Sequence, residues 1–68
     1  MTSLWRLRKR NHRVDAHLAD TGLGRVEIRF DYDGRPIFAR QWRTRRSALA
    51  HASKKRRELE RAGWVEHW

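Results

Sequence analysis

The sequence has no cysteine and only one proline among its 68 residues. The absence of cysteine excludes a disulfide, a thiolate zinc site and a cysteine nucleophile. It also suits a reducing compartment, so we expect a cytoplasmic location. A chain of this length buries only about 60% of the surface that it exposes when unfolded, which predicts a single domain, 1–68, with a small core.

Long apolar runs are also absent. None approaches the roughly 20 residues that a membrane-spanning helix requires, so we expect no membrane partner. The N-terminal stretch MTSLWRLRKR is basic but leads into no apolar segment, which argues against a secretory signal. An Arg-rich start without acidic residues is also typical of a transit peptide, although here it continues directly into strand-like sequence.

The motifs of common active sites are missing as well. There is no glycine-rich phosphate loop, no paired carboxylates and no spacing of a nucleophile and a base, so we expect no enzyme, no cofactor and no small-molecule substrate. Asp15 and His17 share a strand face and, with His12, form a weak acid–base or metal pattern, for which a solvent-exposed polar strand is the simpler interpretation. A small ribonuclease or toxin that uses these histidines is an alternative, which an RNA-cleavage assay would test.

Positive charge is what the sequence has in excess. Lys and Arg number 17 against 8 Asp and Glu, which gives a formal net charge of +9. Residues 1–13 and 35–68 hold this excess, whereas residues 14–34 are mildly acidic. Two basic blocks around an acidic middle predict a surface for a polyanion, and we favour nucleic acid as that polyanion. A basic surface that only keeps the chain soluble is the alternative.

A hairpin followed by a helix, over residues 25–64, organises the predicted fold. Apolar and polar residues alternate over 26–32, as in a strand with one buried face. Asp33-Gly34 indicates a tight turn, because glycine accepts the positive φ that such a turn requires. The chain returns through a second strand, and two more strands with alternating residues are predicted upstream. The strands are expected at about 4–9, 13–19, 25–32 and 36–43, in meander order.

The register of the hairpin decides which face of the sheet carries Phe38 and Trp42. A two-residue turn alone places both side chains on the face opposite to Phe30. A three-residue turn with a G1 bulge instead places both on the core side. We favour Trp42 in the core, with a bulge near Arg40 and Phe38 partly exposed, because Trp42 directly precedes the helix under which it must pack.

A helix is predicted over about 45–62, with Thr44 as its N-cap. Its apolar stripe is narrow and rich in alanine, which allows a close approach to the sheet. Gly63 is expected to end the helix in a left-handed conformation, with Trp64 packing back on the last turn. The predicted fold class is therefore α+β, an antiparallel three- or four-stranded sheet packed on one C-terminal helix.

Four tryptophans are many for so short a chain. Exposed aromatic side chains among arginines are typical of proteins that stack the bases of single strands. A core lined by alanine also needs large side chains, however, and we predict that Trp5, Trp42 and Trp64 supply them.

Arginine supplies the first candidate contacts. The planar guanidinium groups of Arg29 and Arg40 can reach a phosphate or the O6 and N7 atoms of guanine, although pairing with carboxylates across the strands is an equal alternative for Arg29. Arg45 and Arg46 stand at the start of the helix, where cations oppose the helix dipole. A phosphate bound there would account for this pair. The basic run 54–57 is more simply a solvated helix face.

The segment DGRPIFARQWRTRRSALAHA combines a D-G turn, an aromatic residue, a threonine and an Ala-rich helix. Over about residues 25–52 the chain resembles the sheet-plus-helix DNA-binding domains of the plant AP2 class and the arm-binding domains of tyrosine integrases. The resemblance implies a sheet that lies in the major groove of duplex DNA, with the helix behind it. It implies sheet-face contacts by Arg25, Arg29, Phe38 and Arg40.

The chain departs from that pattern in its predicted fourth strand and in Arg40-Gln41, which stands where the family has a glycine before the aromatic. The motifs W-x-L near the start and R-x-x-L-x-x-x-G-W near the end also resemble small bacterial proteins without an assigned function.

These observations together predict a small cationic nucleic-acid-binding module, with DNA before RNA, duplex DNA favoured and phosphate contacts dominant. A module that pairs with a protein or with a second copy of itself is the alternative, because one helix leaves one sheet face and the sheet edges open. We predict no catalytic or metal-binding residues. The candidate nucleic-acid-binding residues are Arg8, Arg10, Arg25, Arg29, Phe38, Arg40, Arg43, Arg45, Arg46 and Lys54.

Overall fold

A computed structural model describes residues 1–67. The sequence also predicts a short tail over 65–68, and Trp68 at its end lies outside the described residues. One antiparallel sheet, with strand order β4-β3-β2-β1-β5, is packed on one face by a single helix, which confirms the α+β class. No helix of the described residues is long and apolar enough to cross a membrane. The elements are β1 (Thr2–Lys9), β2 (His12–Asp20), β3 (Val26–Tyr32), β4 (Arg35–Trp42), α1 (Arg45–Arg61) and β5 (Val65–Glu66).

The sheet has five strands, whereas three or four were predicted. The extra strand is β5, which pairs with Leu7 and Arg8 of β1. It holds only two residues, too few to show the alternation from which a strand is recognised. The other predicted bounds differ from the observed ones by two residues or fewer at each end.

The β3–β4 turn lies at the same end of the sheet as the β1–β2 turn. The predicted Asp33-Gly34 turn is present, with φ values of 51° and 84°, as a type I′ turn requires. The Asp33 carboxylate accepts a hydrogen bond from the backbone N–H of Arg13 and lies 2.8 Å from Nδ1 of His12, so it ties this turn to the start of β2. Its contact with His12, and then the Arg13 N–H, hold the pKa of Asp33 below its usual value.

A bulge at Ile37 sets the register of the hairpin. Phe30 of β3 pairs with Phe38, whereas the next residue, Asp31, pairs with Pro36, so Ile37 is the extra residue in β4. The bulge therefore lies three residues before the position near Arg40 that the sequence suggested. It brings Phe38, Arg40 and Trp42 onto the side of the sheet that faces α1, because residues directly opposite in neighbouring strands share a face.

The core lies between the sheet and α1, and the sheet supplies nearly all of its bulk. The helix contributes only Ala48 and Ala52 as fully buried residues. These small side chains let the backbone approach so closely that the indole N–H of Trp5 donates a hydrogen bond to the Ala52 carbonyl at 3.1 Å. The buried apolar residues of the sheet are Trp5, Leu7, Val14, Ala16, Leu18, Val26, Ile28 and Phe30.

Both ends of α1 follow the prediction. The Thr44 hydroxyl accepts a hydrogen bond from the Ser47 N–H at 3.1 Å, as an N-cap does. Gly63 has a φ of 101°, and the Trp64 N–H donates to the Leu59 carbonyl at 3.0 Å, which is the bond of a Schellman ending. The ammonium group of Lys9 donates to the Ala62 carbonyl, at the end of the helix dipole that favours a cation.

The close approach of α1 predicts that the helix tolerates no extra bulk at Ala48. We expect Ala48→Leu to lower the free energy of unfolding by about 1–3 kcal/mol, because the added atoms must displace packed neighbours. Ala50→Leu is the matched control, since Ala50 is exposed on the same helix and leucine is nearly as good a helix former. Urea unfolding of both variants measures the difference, and equal stabilities would contradict the packing described.

Candidate nucleic-acid interface

The open face of the sheet, which α1 does not cover, carries two buried carboxylates. Asp15 of β2 and Asp31 of β3 stand directly opposite each other. Like charges in this position repel, so each needs cationic neighbours. Asp15 has two, because its oxygens lie 3.2 Å from Nε of Arg6 and 3.4 Å from Nε of Arg13.

Asp31 is neutralised in the same way. Its oxygens lie 3.0 Å from Nε of Arg29 and 3.2 Å from Nε2 of His17. Arg29 therefore pairs with a carboxylate, but with Asp31 of its own strand β3 and not across the strands as the sequence analysis suggested. His17 contacts Asp31 across the strands rather than Asp15 of its own strand. In the part of the chain that the structure describes, no cluster of three potential ligands is placed to hold a metal ion.

The ten candidate residues do not form one surface. Arg8 and Arg10 lie at the β1–β2 turn, at the end of the sheet away from the start of α1. Arg25 directly precedes β3 and stands at the opposite end, next to Arg43, because Val26 pairs with Trp42. The sheet-face set implied by the resemblance is likewise divided. Arg29 is on the open face, whereas Phe38 and Arg40 are on the side of α1.

Five of the candidates lie along the junction of β4 and α1, and we call them the seam cluster: Arg40, Arg43, Arg45, Arg46 and Lys54. All five are exposed, and no carboxylate of residues 1–67 forms an ion pair with them. Arg40 is held in place by the ring of Trp42, whose centroid is 4.3 Å from its Cζ. Four of the five therefore lie close together in the chain around the start of α1, and Lys54 lies more than two helical turns further along the helix.

An apolar groove runs beside this cluster, between α1 and the turn end of β3 and β4. Its cavity volume is about 410 Å³. We call it the aromatic groove, because five of the residues that line it carry aromatic rings. These are Phe30, Tyr32, Phe38, His51 and Trp64.

The rings of the groove contact one another. The Phe38 ring is stacked on Phe30, with centroids 5.4 Å apart, and on His51, at 5.9 Å. The Tyr32 and Trp64 rings meet edge to face at 6.5 Å. The phenylalanine at position 38 nevertheless remains 39% exposed, and Ile37 beside it 63% exposed, so the groove is open to solvent.

His51 connects the groove to the seam cluster. Burial lowers the pKa of its imidazole first, and the nearby cations Arg40, Lys55 and Lys54 lower it further, against a smaller opposite effect of Glu58. A neutral ring is therefore favoured at neutral pH. Its Nε2 atom is buried, as is Nε1 of the adjoining Trp42, and neither has a hydrogen-bond partner within residues 1–67.

Sequence reasoning missed most of the groove. The prediction of tryptophans in the core holds fully for Trp5, while Trp42 and Trp64 are half-buried against the core. His51 was not a candidate, and Lys55 was considered only as part of the basic run 54–57, which was interpreted as a solvated helix face. The spacing of His51 and Lys55, four residues apart, indicated that the two side chains lie on the same side of the helix. It did not show what they face, because Phe38 is placed opposite them only by the bulge at Ile37.

Comparisons of the chain with protein-family models, with curated proteins and with solved structures find no match. The resemblance to AP2-class and integrase arm-binding domains therefore stays a prediction, and the arguments for function rest on the geometry described above.

The depressed pKa of His51 predicts a pH-dependent stability. The unfolded chain, with an ordinary histidine pKa of 6.5, binds a proton more readily than the folded one. Protons therefore favour unfolding, and this part of the stability is complete above that pH and is lost as the pH falls through it. We expect His51→Phe to reduce the fall in unfolding free energy between about pH 7.5 and pH 5.5. Urea titrations at both pH values test this, and an equal fall in both proteins would contradict it.

Proposed function

We propose that this protein binds nucleic acid, mainly through phosphate contacts, along the seam cluster. The supporting observation is which Lys and Arg side chains form ion pairs with carboxylates and which do not. Within residues 1–67, ion pairs with carboxylates involve five of the 17 Lys and Arg side chains, namely Arg6, Arg13, Arg29, Lys55 and Arg56. Three of these five lie on the open sheet face, which is thereby largely compensated.

The seam cluster, in contrast, has no such compensation. Its cations lie on a strand end, the connection to α1 and the exposed side of that helix, so a strand of phosphates can contact several of them at once. Neighbouring cations without carboxylate partners raise the local positive potential, which attracts a polyanion and makes its binding salt-dependent. The unpaired Arg45 and Arg46 fit this proposal, although the Thr44 side chain already occupies one helix N–H that a phosphate would use.

The proposed surface differs from the one that the resemblance implied. A sheet placed in the major groove needs free arginines on its open face, and there Arg29 is engaged with Asp31. The preference for duplex DNA over RNA stays a prediction. Titrations of the protein against duplex DNA and against RNA of equal length test it.

Self-association through β4 is the second candidate function. This strand is an open edge of the sheet, and its Ile37 side chain is 63% exposed. Two features oppose it, because Pro36 has no N–H to offer a partner strand and arginines along β4 would approach those of a second copy. Sedimentation over a range of protein concentrations measures the oligomeric state.

The proposal predicts which arginines control the salt dependence of binding. If all five cations of the seam cluster contact phosphates, log K for duplex DNA falls with log salt with a slope of about −4.5. The double variant Arg40→Gln/Arg43→Gln should weaken binding and reduce the magnitude of this slope by about 2. Arg45→Gln/Arg46→Gln should have a similar effect. Fluorescence anisotropy between roughly 50 and 300 mM salt gives both quantities.

Arg8→Gln/Arg10→Gln removes the same charge at the opposite end of the sheet and is the matched control. It should change the slope by less than the seam variants do. Equal effects of all three double variants would show that binding follows net charge alone, and an affinity that ignores salt would remove the proposed function itself.

A further inference from the structure

The aromatic groove has two properties of a binding site, a solvent-exposed aromatic ring and a volume large enough for a small ligand. The Phe38 ring is stacked on Phe30 and on His51 and is nevertheless 39% exposed. Its volume of about 410 Å³ falls within the range of small-ligand sites, which is about 300–1,000 Å³. Flat rings at an open surface offer faces on which another planar group can stack.

Cations without carboxylate partners in residues 1–67 lie at one side of this apolar space. Arg40 and Lys54 are close enough to His51 to lower the pKa of its ring, whereas Lys55 lines the groove but is paired with Glu58 at 3.2 Å. A purely apolar ligand would gain nothing from these cations. A second copy of the chain would bring the same cations against them, and like charges across an interface oppose association. The occupant that fits both properties is apolar and planar in one part and anionic in another.

An unpaired nucleic-acid strand has this chemistry, because its bases are planar and its backbone is a chain of phosphates. Proteins that bind single strands without sequence preference use the same combination of stacking rings and a cationic path. A duplex does not fit equally well, since its bases are already stacked and paired. We propose that the aromatic groove binds unpaired bases of single-stranded DNA, while the seam cluster contacts the adjoining phosphates. This inference rests on the proposed function and specifies its substrate class.

The lining of the groove also indicates how bases are selected. Apart from His51, Lys55, the Tyr32 hydroxyl and the indole N–H of Trp64, the side chains that line it present no hydrogen-bonding groups. Binding therefore depends on stacking, and the preference among bases is weak. For the same reason little in the groove would recognise a ribose 2′-hydroxyl, the group by which proteins distinguish RNA. Oligo(dU) should bind at least as tightly as oligo(U), and the reverse by tenfold would overturn the assignment to DNA.

The decisive test separates bases from phosphates. Three fluorescent probes of equal charge, about 20 nucleotides long, are titrated by anisotropy: oligo(dT), the same strand with every base replaced by an abasic residue, and a duplex with an equal number of phosphates. We expect oligo(dT) to bind at least about tenfold more tightly than either of the other two. Quenching of tryptophan fluorescence, to which Trp64 in the groove contributes, should accompany binding of oligo(dT) but not of the abasic strand.

Phe38→Leu tests the groove directly, because it keeps an apolar side chain and removes one stacking face. It should lose about tenfold in affinity for oligo(dT) and nothing for the abasic strand. Leu23→Ala, at an 81% exposed loop position, is the control and should leave both affinities unchanged. The comparison of oligo(dT) with the abasic strand needs no variant, so it remains decisive if Phe38→Leu proves unstable.

The outcomes distinguish the two proposals. Salt-dependent binding of all three probes with equal affinity would overturn the base-binding groove and leave the phosphate-binding function standing. Absence of salt-dependent binding to any probe would overturn both. Preferential binding of oligo(dT) that Phe38→Leu does not weaken would place base recognition elsewhere and so overturn this inference alone.

Discussion

The contact between an alanine-lined helix and the middle of the sheet determines the rest of this structure. Ala48 and Ala52 let α1 lie directly on the large side chains of the sheet, and the indole of Trp5 bonds to the helix backbone. One helix placed so closely covers only part of a five-stranded sheet. The outer strand β4 contacts α1, yet all its residues except the half-buried Trp42 stay exposed, and the aromatic groove lies between this strand's turn end and the helix.

The distribution of acidic residues along the chain explains where positive charge remains available. Asp15, Asp31 and Asp33 all come from the acidic middle of the sequence, and each is engaged locally with arginine or histidine side chains. Because these carboxylates lie on the central strands and their turn, they compensate the open sheet face. The cations of β4 and of the first half of α1 have no comparable partners. The charge segregation seen in the sequence therefore becomes a segregation between surfaces.

Local signals were sufficient for most of the fold. The Asp33-Gly34 turn, the Thr44 cap and the Gly63 ending were predictable because each depends on a few neighbouring residues. The position of the bulge at Ile37 was not, since a run of three apolar residues shows no alternation. This uncertainty affected the candidate site most, because the bulge decides which face of the sheet carries Phe38. For Arg29 the sequence analysis allowed a carboxylate partner across the strands, whereas the partner is Asp31 two residues further along the same strand, since charge counts do not show which carboxylate is nearer.

The bulge at Ile37 has a consequence for how this surface can change. Side chains alternate along a strand, so one unpaired residue inverts the facing of everything that follows it up to Trp42. Loss of a single codon at that point would restore plain alternation and turn Arg40 towards the carboxylates of the opposite surface. Which β4 side chains face α1 therefore depends on whether an odd or an even number of residues separates them from the turn, and the gain or loss of one residue is enough to move Arg40 out of the seam cluster.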